Sequence, residues 1–382
     1  MISSAVTPPQ VTPTEVMIVA GEPSGDMHAA AMVQALRQRR PDLHLVGVGG
    51  GRLAAEGVEL LERAERIAVV GFVEVFKHLP ILRRLMYALR ARLDTGRVKL
   101  VILIDYPGFN MRLARDAKRR GIPVLYYITP QVWAWHKSRV KEMRENVAKA
   151  AVILPFEEKL LRDAGIDATF VGSPLIDATQ QLPTREAACA TLGLDVSRPV
   201  LALFPGSRAG EIQRHLTDFV ATAAAIVRLR PDVQVIVSAP PTVTIDPAIC
   251  AYPVVRDASH TVFRAATAAM CKSGTTTLEA ALCGCPLVMA YRTSAMTYAI
   301  ARRLVTLPDI ALVNIVAERR VVPEFIQHDL RADKVVPALL PLLDTDSPER
   351  SAMITALGAV RERMGAPGAA VRVAAMVDEL LG

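Results

Sequence analysis

The stretch AAMCKSGTTTLEAAL, residues 268–282, decides the fold class because it joins a strand to a helix through a short turn. Its apolar start, AAMC, is typical of a buried strand, and its end, LEAAL, is typical of a helix. A helix start leaves backbone N–H groups unpaired and carries the positive end of the helix dipole, so this turn can bind a phosphate. Serine and threonine also cap helices for structural reasons, and that interpretation stays open.

A carboxylate follows this turn at Glu279. Carboxylate oxygens accept hydrogen bonds, so a carboxylate just behind a phosphate site suits the hydroxyls of a ribose. Another turn of this kind, PGSR at residues 205–208, follows the apolar run 200–204. Its Arg208 can bind a diphosphate through two parallel hydrogen bonds, or it can pair with Glu211 on the surface. The two turns together predict a nucleotide site in the second half of the chain.

Short β-branched runs alternate with longer helical patterns along the chain, which predicts parallel sheets covered by helices. The runs lie at residues 16–20, 43–48, 100–104, 124–128, 152–154 and 169–171, and again at 200–204, 233–237, 268–271 and 287–290. We expect an α/β protein with two Rossmann-like domains facing a cleft, which holds the site because ligands bind at the carboxyl ends of parallel strands. The expected parts are a disordered tail at 1–15, domains at 16–175 and 176–345, and C-terminal helices at 346–382 that could pack back on the N-terminal domain.

Composition narrows the class of partner. The net charge of +7 favours phosphorylated small molecules, anionic lipid surfaces or nucleic acid, and nucleic acid is least supported because no finger or RNA-binding pattern occurs. No apolar run approaches the roughly 18 residues of a membrane-spanning helix. The five cysteines are an odd number in apolar or loop contexts, which favours reduced thiols in the cytoplasm. Cys283 and Cys285 have no histidine or second cysteine pair at ligand spacing, so we expect no metal there.

Two turns in the first half carry carboxylates. Glu22 and Asp26 bracket Ser24 in the turn after the first predicted strand, where a phosphate would be repelled and sugar hydroxyls or an amide would fit. Helix capping by Ser24 explains the same turn. Asp105 follows the buried run 100–104 and can accept a proton from a substrate hydroxyl, or it can cap the helix that begins near Phe109.

A basic amphipathic segment covers residues 76–93. It contains no acid, and its apolar residues recur at helical spacing. Such a segment can lie on an anionic membrane, or it can be an ordinary helix packed on the sheet. Its basic residues are Lys77, Arg83, Arg84, Arg90 and Arg92, and its apolar residues are Leu82, Leu85, Met86, Leu89 and Leu93.

Six motifs together resemble those of the lipid-A-disaccharide synthase family, in the family's order, from residue 16 to about 345. They are AGEPSGD (20–26), IDYPGFN (104–110), VWAW (132–135), LPFE (154–157), PGSR with Glu211, and SGTTTLE (273–279). The resemblance implies a GT-B glycosyltransferase that joins UDP-2,3-diacylglucosamine to 2,3-diacylglucosamine 1-phosphate. The products are UDP and the β-1,6 disaccharide core of lipid A.

The resemblance also implies roles for single residues. Asp105 is the candidate base for the acceptor hydroxyl, in a single displacement that inverts the anomeric carbon. The UDP part would contact Arg208, Ser273, Gly274, Thr275, Thr276 and Glu279, with Asn314 and Arg319 near the donor. The opposite wall would be lined by Glu22, Ser24 and Asp26. We expect no cofactor and no metal.

The expected location is the cytoplasm, at the anionic surface of the inner membrane, and a homodimer is left open.

Two alternative functions stay open at this point. One is a UDP-sugar epimerase, or another GT-B glycosyltransferase with a soluble acceptor, which has no use for a basic amphipathic face. The other is a nucleotide-binding or membrane-scaffolding module without activity, which the presence of both Asp105 and Arg208 disfavours.

Overall fold

The computed structural model describes residues 14–67, 72–133, 137–294, 297–298 and 308–382, with side chains except at 72–78 and 137–138. These residues form two compact units. The N-terminal unit contains the described residues up to Val171 together with Gly368–Gly382, and the C-terminal unit spans Gly172–Pro367. The expected tail falls outside the described residues except for Thr14 and Glu15, and Glu15 is buried at the start of the first strand.

The N-terminal unit is built on a seven-stranded sheet in the order β3-β2-β1-β4-β5-β6-β7. All neighbouring strands pair in parallel. Successive side chains of a strand point to opposite faces, so Tyr126 and Tyr127 lie in different cores. The strands are β1 Glu15–Ala20, β2 His44–Gly49, β3 Glu59–Arg63, β4 Val98–Ile104, β5 Val124–Tyr127, β6 Lys149–Val152 and β7 Ala168–Phe170.

Helices cover both faces of this sheet. In the N-terminal unit they are α1 Pro23–Arg39, α2 Gly51–Ala55, α3 Ala64–Ile67, α4 Phe72–Asp94, α5 Pro107–Arg119, α6 Lys137–Asn146 and α7 Pro155–Asp163, and the last helix of the chain, Ala369–Leu381, also belongs here. That last helix buries Val373 and Val377 in the core shared with α1. Its Asp378 pairs with Arg39 at 3.0 Å.

The C-terminal unit has a six-stranded parallel sheet in the order β10-β9-β8-β11-β12-β13. The strand order reverses between β8 and β11, and such a switch point brings two strand-to-helix loops together. The strands are β8 Val200–Phe204, β9 Gln234–Ala239, β10 Val254–Arg256, β11 Ala268–Lys272, β12 Leu287–Tyr291 and β13 Glu324–Ile326. The helices are α8 Pro174–Ala178, α9 Arg185–Leu192, α10 Ala209–Leu229, α11 Ser259–Ala265, α12 Thr275–Leu282, α13 Leu312–Ala317, α14 Ala332–Leu339 and α15 Pro348–Arg363, followed in the chain by α16, the helix Ala369–Leu381.

Helix α4 packs its apolar stripe on the N-terminal sheet. Leu85, Met86, Leu89 and Leu93 are buried in the core of the unit. The interpretation that these apolar residues lie on a membrane is therefore wrong. For them the alternative interpretation, an ordinary amphipathic helix packed on the sheet, is correct. Lys77 lies outside the described side chains.

The basic flank of α4 is also partly neutralised. Arg90 pairs with Asp116 at 2.8 Å, and Arg92 pairs with the buried Glu15 at 2.8 Å. The segment contains no acid of its own, so the sequence pattern could not show these partners. Arg83 and Arg84 stay exposed beside Tyr87, which is 77% exposed. No helix among the described residues is both long and apolar enough to cross a membrane.

Candidate functional site

The turn after β1 uses Asp26 for structure. The carboxylate is buried and accepts hydrogen bonds from the backbone N–H groups of Gly50 at 2.6 Å, Arg52 at 3.1 Å and Leu53 at 3.2 Å. These groups start helix α2, so Asp26 satisfies its unpaired donors. A Cβ on Gly50 would lie 2.7 Å from Asp26 Oδ2, which explains the glycine. Asp26 thus fixes the connection between β2 and α2. The sequence instead predicted that Asp26 lines the substrate site.

Glu22 and Ser24 lie at the open edge of the same turn. Ser24 is exposed, and Glu22 is half-buried at the start of α1. The ring of Tyr106 packs over Gly21, where a Cβ would lie 2.5 Å from Tyr106 Cδ1. Burial, with a smaller contribution from the charge of Glu22, raises the pKa of Tyr106. The turns after β1 and β4 therefore meet at the carboxyl edge of the sheet.

Asp105 has a left-handed backbone at the end of β4, with φ of 49°. Its carbonyl oxygen accepts one hydrogen bond from Asn110 Nδ2 at 2.7 Å and another from the Tyr126 hydroxyl at 2.8 Å. Its N–H donates to the carbonyl of Tyr127 at 3.2 Å. A left-handed residue other than glycine is unfavourable unless its surroundings fix it. Asn110 and Tyr126 supply that restraint, and the helix that follows is capped at Tyr106.

A buried carboxyl group fixes the loop after β5. Glu157 is 3% exposed and accepts hydrogen bonds from Trp133 Nε1 at 3.0 Å and from the Leu154 N–H at 3.2 Å. Burial raises the pKa of Glu157 to about 7, although these hydrogen bonds oppose the shift. Phe156 contacts the Trp133 ring edge-on at 5.3 Å. Trp135 of the VWAW motif lies outside the described residues.

In the C-terminal unit, the turn after β11 has the predicted form. Gly274 precedes α12 with φ of +139°, a conformation that side-chain-bearing residues rarely adopt. Ser273 donates its hydroxyl to the carbonyl of Ile310 at 3.1 Å, and Thr277 donates to the carbonyl of Gly274 at 2.9 Å. These two hydroxyls therefore stabilise the turn. Thr275 is exposed at the helix start.

Glu279 lies one turn into α12. Burial raises the pKa of its carboxyl group, and a hydrogen bond from Thr275 opposes the shift. His260 Nε2 lies 3.9 Å from Glu279 Oε2, and burial lowers the pKa of His260, which favours the neutral ring. A neutral imidazole and a carboxylate offer both donors and acceptors to a pair of hydroxyls. Sequence reasoning missed His260, since a lone histidine ahead of a strand carries no motif.

The turn after β8 is tied to the turn after β11. Glu211 accepts a hydrogen bond from the Ser207 N–H at 3.0 Å and pairs with Lys272 Nζ at 2.8 Å. Lys272, with contributions from Ser207 and Arg208, lowers the pKa of Glu211 against the opposing effect of burial. Arg208 is exposed at the N-cap of α10. Glu211, the carboxylate predicted as an alternative partner of Arg208, therefore has Lys272 as an ion-pair partner.

Asn314 is saturated by the protein. Its Oδ1 accepts from the N–H groups of Val321 at 2.8 Å and Val322 at 2.9 Å, and its Nδ2 donates to the Val322 carbonyl and to Glu324, both at 2.9 Å. An asparagine amide has two donors and two acceptor lone pairs, so all are used. The structure therefore gives Asn314 a supporting place against the segment 321–324 that follows α13. Arg319 is exposed.

Two parallel-sheet units, each with polar strand-to-helix turns at its carboxyl edge, define the GT-B class of nucleotide-sugar enzymes. Solved structures agree in fold. The UDP co-structure of S. aureus MnaA has a TM-score of 0.67 at 11% identity over 96% of this chain and 97% of that one. The Medicago truncatula UGT71G1 complex with UDP-glucose has a TM-score of 0.61 at 14% identity over 97% of this chain and 98% of that one. The predicted fold class is confirmed.

Within that class, the chain belongs to the Lipid-A-disaccharide synthetase family, which it matches over residues 16–361. A lipid-A-disaccharide synthase from Myxococcus xanthus is 40% identical over 97% of this chain and 98% of its own length. One from Geobacter sulfurreducens is 41% identical over the same shares. The predicted family and glycosyltransferase activity in lipid A biosynthesis are confirmed, and the epimerase alternative is not favoured.

Proposed function

We propose that this enzyme transfers 2,3-diacylglucosamine from its UDP derivative to 2,3-diacylglucosamine 1-phosphate. The products are the β-1,6-linked disaccharide 1-phosphate and UDP. One observation carries the proposal: the family match spans residues 16–361 and so includes the candidate turns of both units. Two relatives that are 40% and 41% identical to this chain over nearly their whole length are named lipid-A-disaccharide synthase.

The C-terminal unit would bind UDP. The start of α12 offers backbone N–H groups, and Arg208 stands at the start of α10, which follows the neighbouring strand. Two helix starts and a guanidinium suit a diphosphate because all three present donors and positive charge. Glu279 and His260 would receive the ribose hydroxyls. Asn314 would act as a positioning residue, and Arg319 at the exposed end of α13 would lie near the donor.

The N-terminal unit would bind the acceptor and supply the base. Asp105 would take the proton of the acceptor 6-hydroxyl while that oxygen forms its bond to the anomeric carbon. The bond between the anomeric carbon and the diphosphate oxygen breaks, and its electron pair leaves with UDP. Glu22 and Ser24 would contact the acceptor sugar, and Asp26 would fix the loop beside them through its three backbone hydrogen bonds.

Product analysis with purified acylated sugars tests this proposal. With both substrates, the full chain should release UDP in step with the disaccharide 1-phosphate. With the donor alone, it should release little UDP. Conversion of the donor sugar to an epimer would favour the epimerase alternative, and UDP binding without release in the presence of both substrates would favour a scaffold.

We further propose that the enzyme works at an anionic inner-membrane surface, which its acylated substrates require. The exposed Arg83, Arg84 and Tyr87 of α4 support this proposal. Each basic residue near such a surface adds about 1 kcal/mol, so Arg83→Ala with Arg84→Ala should weaken binding to anionic vesicles roughly 30-fold. Cosedimentation without detergent measures this, with Arg144→Ala and Arg214→Ala as the matched double variant. Unchanged binding of the Arg83/Arg84 double variant to the vesicles would contradict the proposal.

Sedimentation velocity of the same preparation measures whether the chain forms a homodimer.

A further inference from the structure

Lys272 is a charged residue at a place where a parallel strand is normally apolar. It is the last residue of β11, and its side chain is only 18% exposed. The ammonium group pairs with Glu211 at 2.8 Å, and the Glu211 side chain is 17% exposed. A charge this far from water needs a partner, and Glu211 provides one.

The ammonium lies against the turn that begins α12. Lys272 Nζ is 3.5 Å from the position that a Cβ on Gly274 would take. Its partner Glu211 belongs to the other turn, where it accepts the hydrogen bond from the Ser207 N–H. Strands β8 and β11 are neighbours in the sheet, so these turns adjoin. The ammonium therefore lies at the junction of the two turns proposed to bind UDP.

The Lys272 ammonium keeps hydrogen-bonding capacity beyond its ion pair. Lys272 and Arg208 both lower the pKa of Glu211 against the opposing effect of burial, which favours the ionised carboxylate that Lys272 pairs with. An ammonium has three N–H donors. Among the residues that the structure describes, Glu211 is the one hydrogen-bond acceptor of Lys272. Donors remain available for an anion.

We propose that Lys272 is a further diphosphate-binding residue and that Glu211 is its positioning residue, an assignment that rests on the proposed function. The Glu211 carboxylate fixes the ammonium beside the α12 turn. As the bond to the anomeric carbon breaks, negative charge grows on the leaving diphosphate, and Lys272 stabilises that charge without giving up a proton. Its contribution is electrostatic in both the bound state and the transition state.

A merely structural role would have different consequences. If the pair only joined the two turns, loss of Lys272 would disturb the whole nucleotide site, and uridine and UDP would lose affinity alike. If Lys272 contacts the diphosphate, UDP loses affinity while uridine does not. The comparison between these two ligands therefore separates the roles, and it needs no acylated substrate.

The experiment measures UDP affinity by calorimetry and uridine affinity by NMR titration on the full chain. Lys272→Met should weaken UDP about 10- to 100-fold, the range for one charge-assisted hydrogen bond, and leave uridine unchanged. Lys272→Arg keeps the charge and should recover most of the UDP affinity. Lys334→Met is the matched control, because Lys334 is an ion-paired lysine of the same unit on α14, and it should bind UDP like the unaltered chain.

Unchanged UDP affinity in Lys272→Met, or an equal loss for uridine, would overturn the inference. If Lys272→Met has no effect while Arg208→Met weakens UDP, the inference alone fails and the proposed UDP site stands. If the unaltered chain does not bind UDP, the proposed function fails. A melting curve identifies a Lys272→Met protein that does not fold. In that case UDP affinity is compared between Lys272→Arg and Arg208→Met. An arginine variant at Lys272 that folds yet loses UDP affinity would also overturn the inference.

Discussion

Replacing Glu157 with glutamine should change how the stability of the N-terminal unit depends on pH. The Glu157 carboxyl group is 3% exposed, and burial raises its pKa to about 7 from the ordinary 4.5. Because the pKa is higher in the folded state, folding favours the protonated form. The stabilising contribution of that proton is complete below about pH 4.5 and is lost as the pH rises through 7.

The size of the effect follows from the two pKa values. A shift of one unit corresponds to about 1.4 kcal/mol, so the full difference is about 3 kcal/mol, of which about 2.5 kcal/mol falls between pH 5 and pH 8. Glutamine does not titrate in this range. Its single carbonyl oxygen satisfies only one of the two donors, Trp133 Nε1 and the Leu154 N–H. That loss is nearly independent of pH and cancels when the variant is compared at two pH values.

Urea unfolding followed by tryptophan fluorescence measures the effect. Both tryptophans of the chain, Trp133 and Trp135, lie in the sequence of the N-terminal unit, so the signal reports on that unit. Between pH 5 and pH 8, the free energy of unfolding of the unaltered chain should fall by about 2.5 kcal/mol relative to that of Glu157→Gln. Glu142→Gln, at a half-buried carboxyl group of the same unit that pairs with Arg115, is measured alongside as the matched variant. A stability difference between the Glu157 variant and the unaltered chain that is the same at both pH values would refute the reasoning.

Two further predictions concern residues that support the site. Tyr126→Phe removes one of two donors to the Asp105 carbonyl, so it should cost about 1 kcal/mol of stability and, by loosening the proposed base Asp105, lower kcat about tenfold. UDP affinity should stay unchanged, and equal losses of kcat and of UDP affinity would contradict this. Asn314→Ala leaves the half-buried N–H of Val321 and the buried N–H of Val322 unpaired and should destabilise the C-terminal unit by about 3 kcal/mol. Urea unfolding followed by circular dichroism measures this, and a variant as stable as the unaltered chain would show that the loop does not depend on Asn314.

The central strands could be predicted from sequence because they are buried on both faces. Apolar runs at 16–20, 100–104 and 200–204 coincide with β1, the end of β4 and β8. Strands β3, β10 and β13 were missed. They lie at sheet edges, where partly exposed sequences such as ELLER at 59–63 lack a continuous apolar run.

The turns at the carboxyl edges could be predicted in position but not in detail. Glycine and hydroxyl residues indicated the start of α12, but they did not show that the Ser273 and Thr277 hydroxyls donate to the backbone carbonyls of Ile310 and Gly274. The partners of Asp26 are 24–27 positions away, and those of Asn314 are 7–10 positions away. Local patterns carry no information on such contacts, since they depend on how the chain folds back on itself.

The family resemblance identified Asp105 but not the reason for its geometry. Asn110 belongs to the quoted IDYPGFN motif, and Tyr126 is an aromatic residue in an otherwise aliphatic strand. Neither signal shows that both side chains donate to one carbonyl. Lys272 lies in the stretch 268–282, but the sequence predicted no role for it. Its partner Glu211 follows a different strand, so the pair is not visible in the local pattern.

The most direct test of the account is UDP release by the Asp105→Ala variant in the presence of both acylated sugars. UDP affinity is measured on the same preparation, since the C-terminal unit is proposed to bind UDP without Asp105. We expect unchanged UDP affinity and a rate lower by about 10²- to 10⁴-fold, the contribution of a general base. A variant that binds UDP and turns over at nearly the rate of the unaltered chain would contradict it.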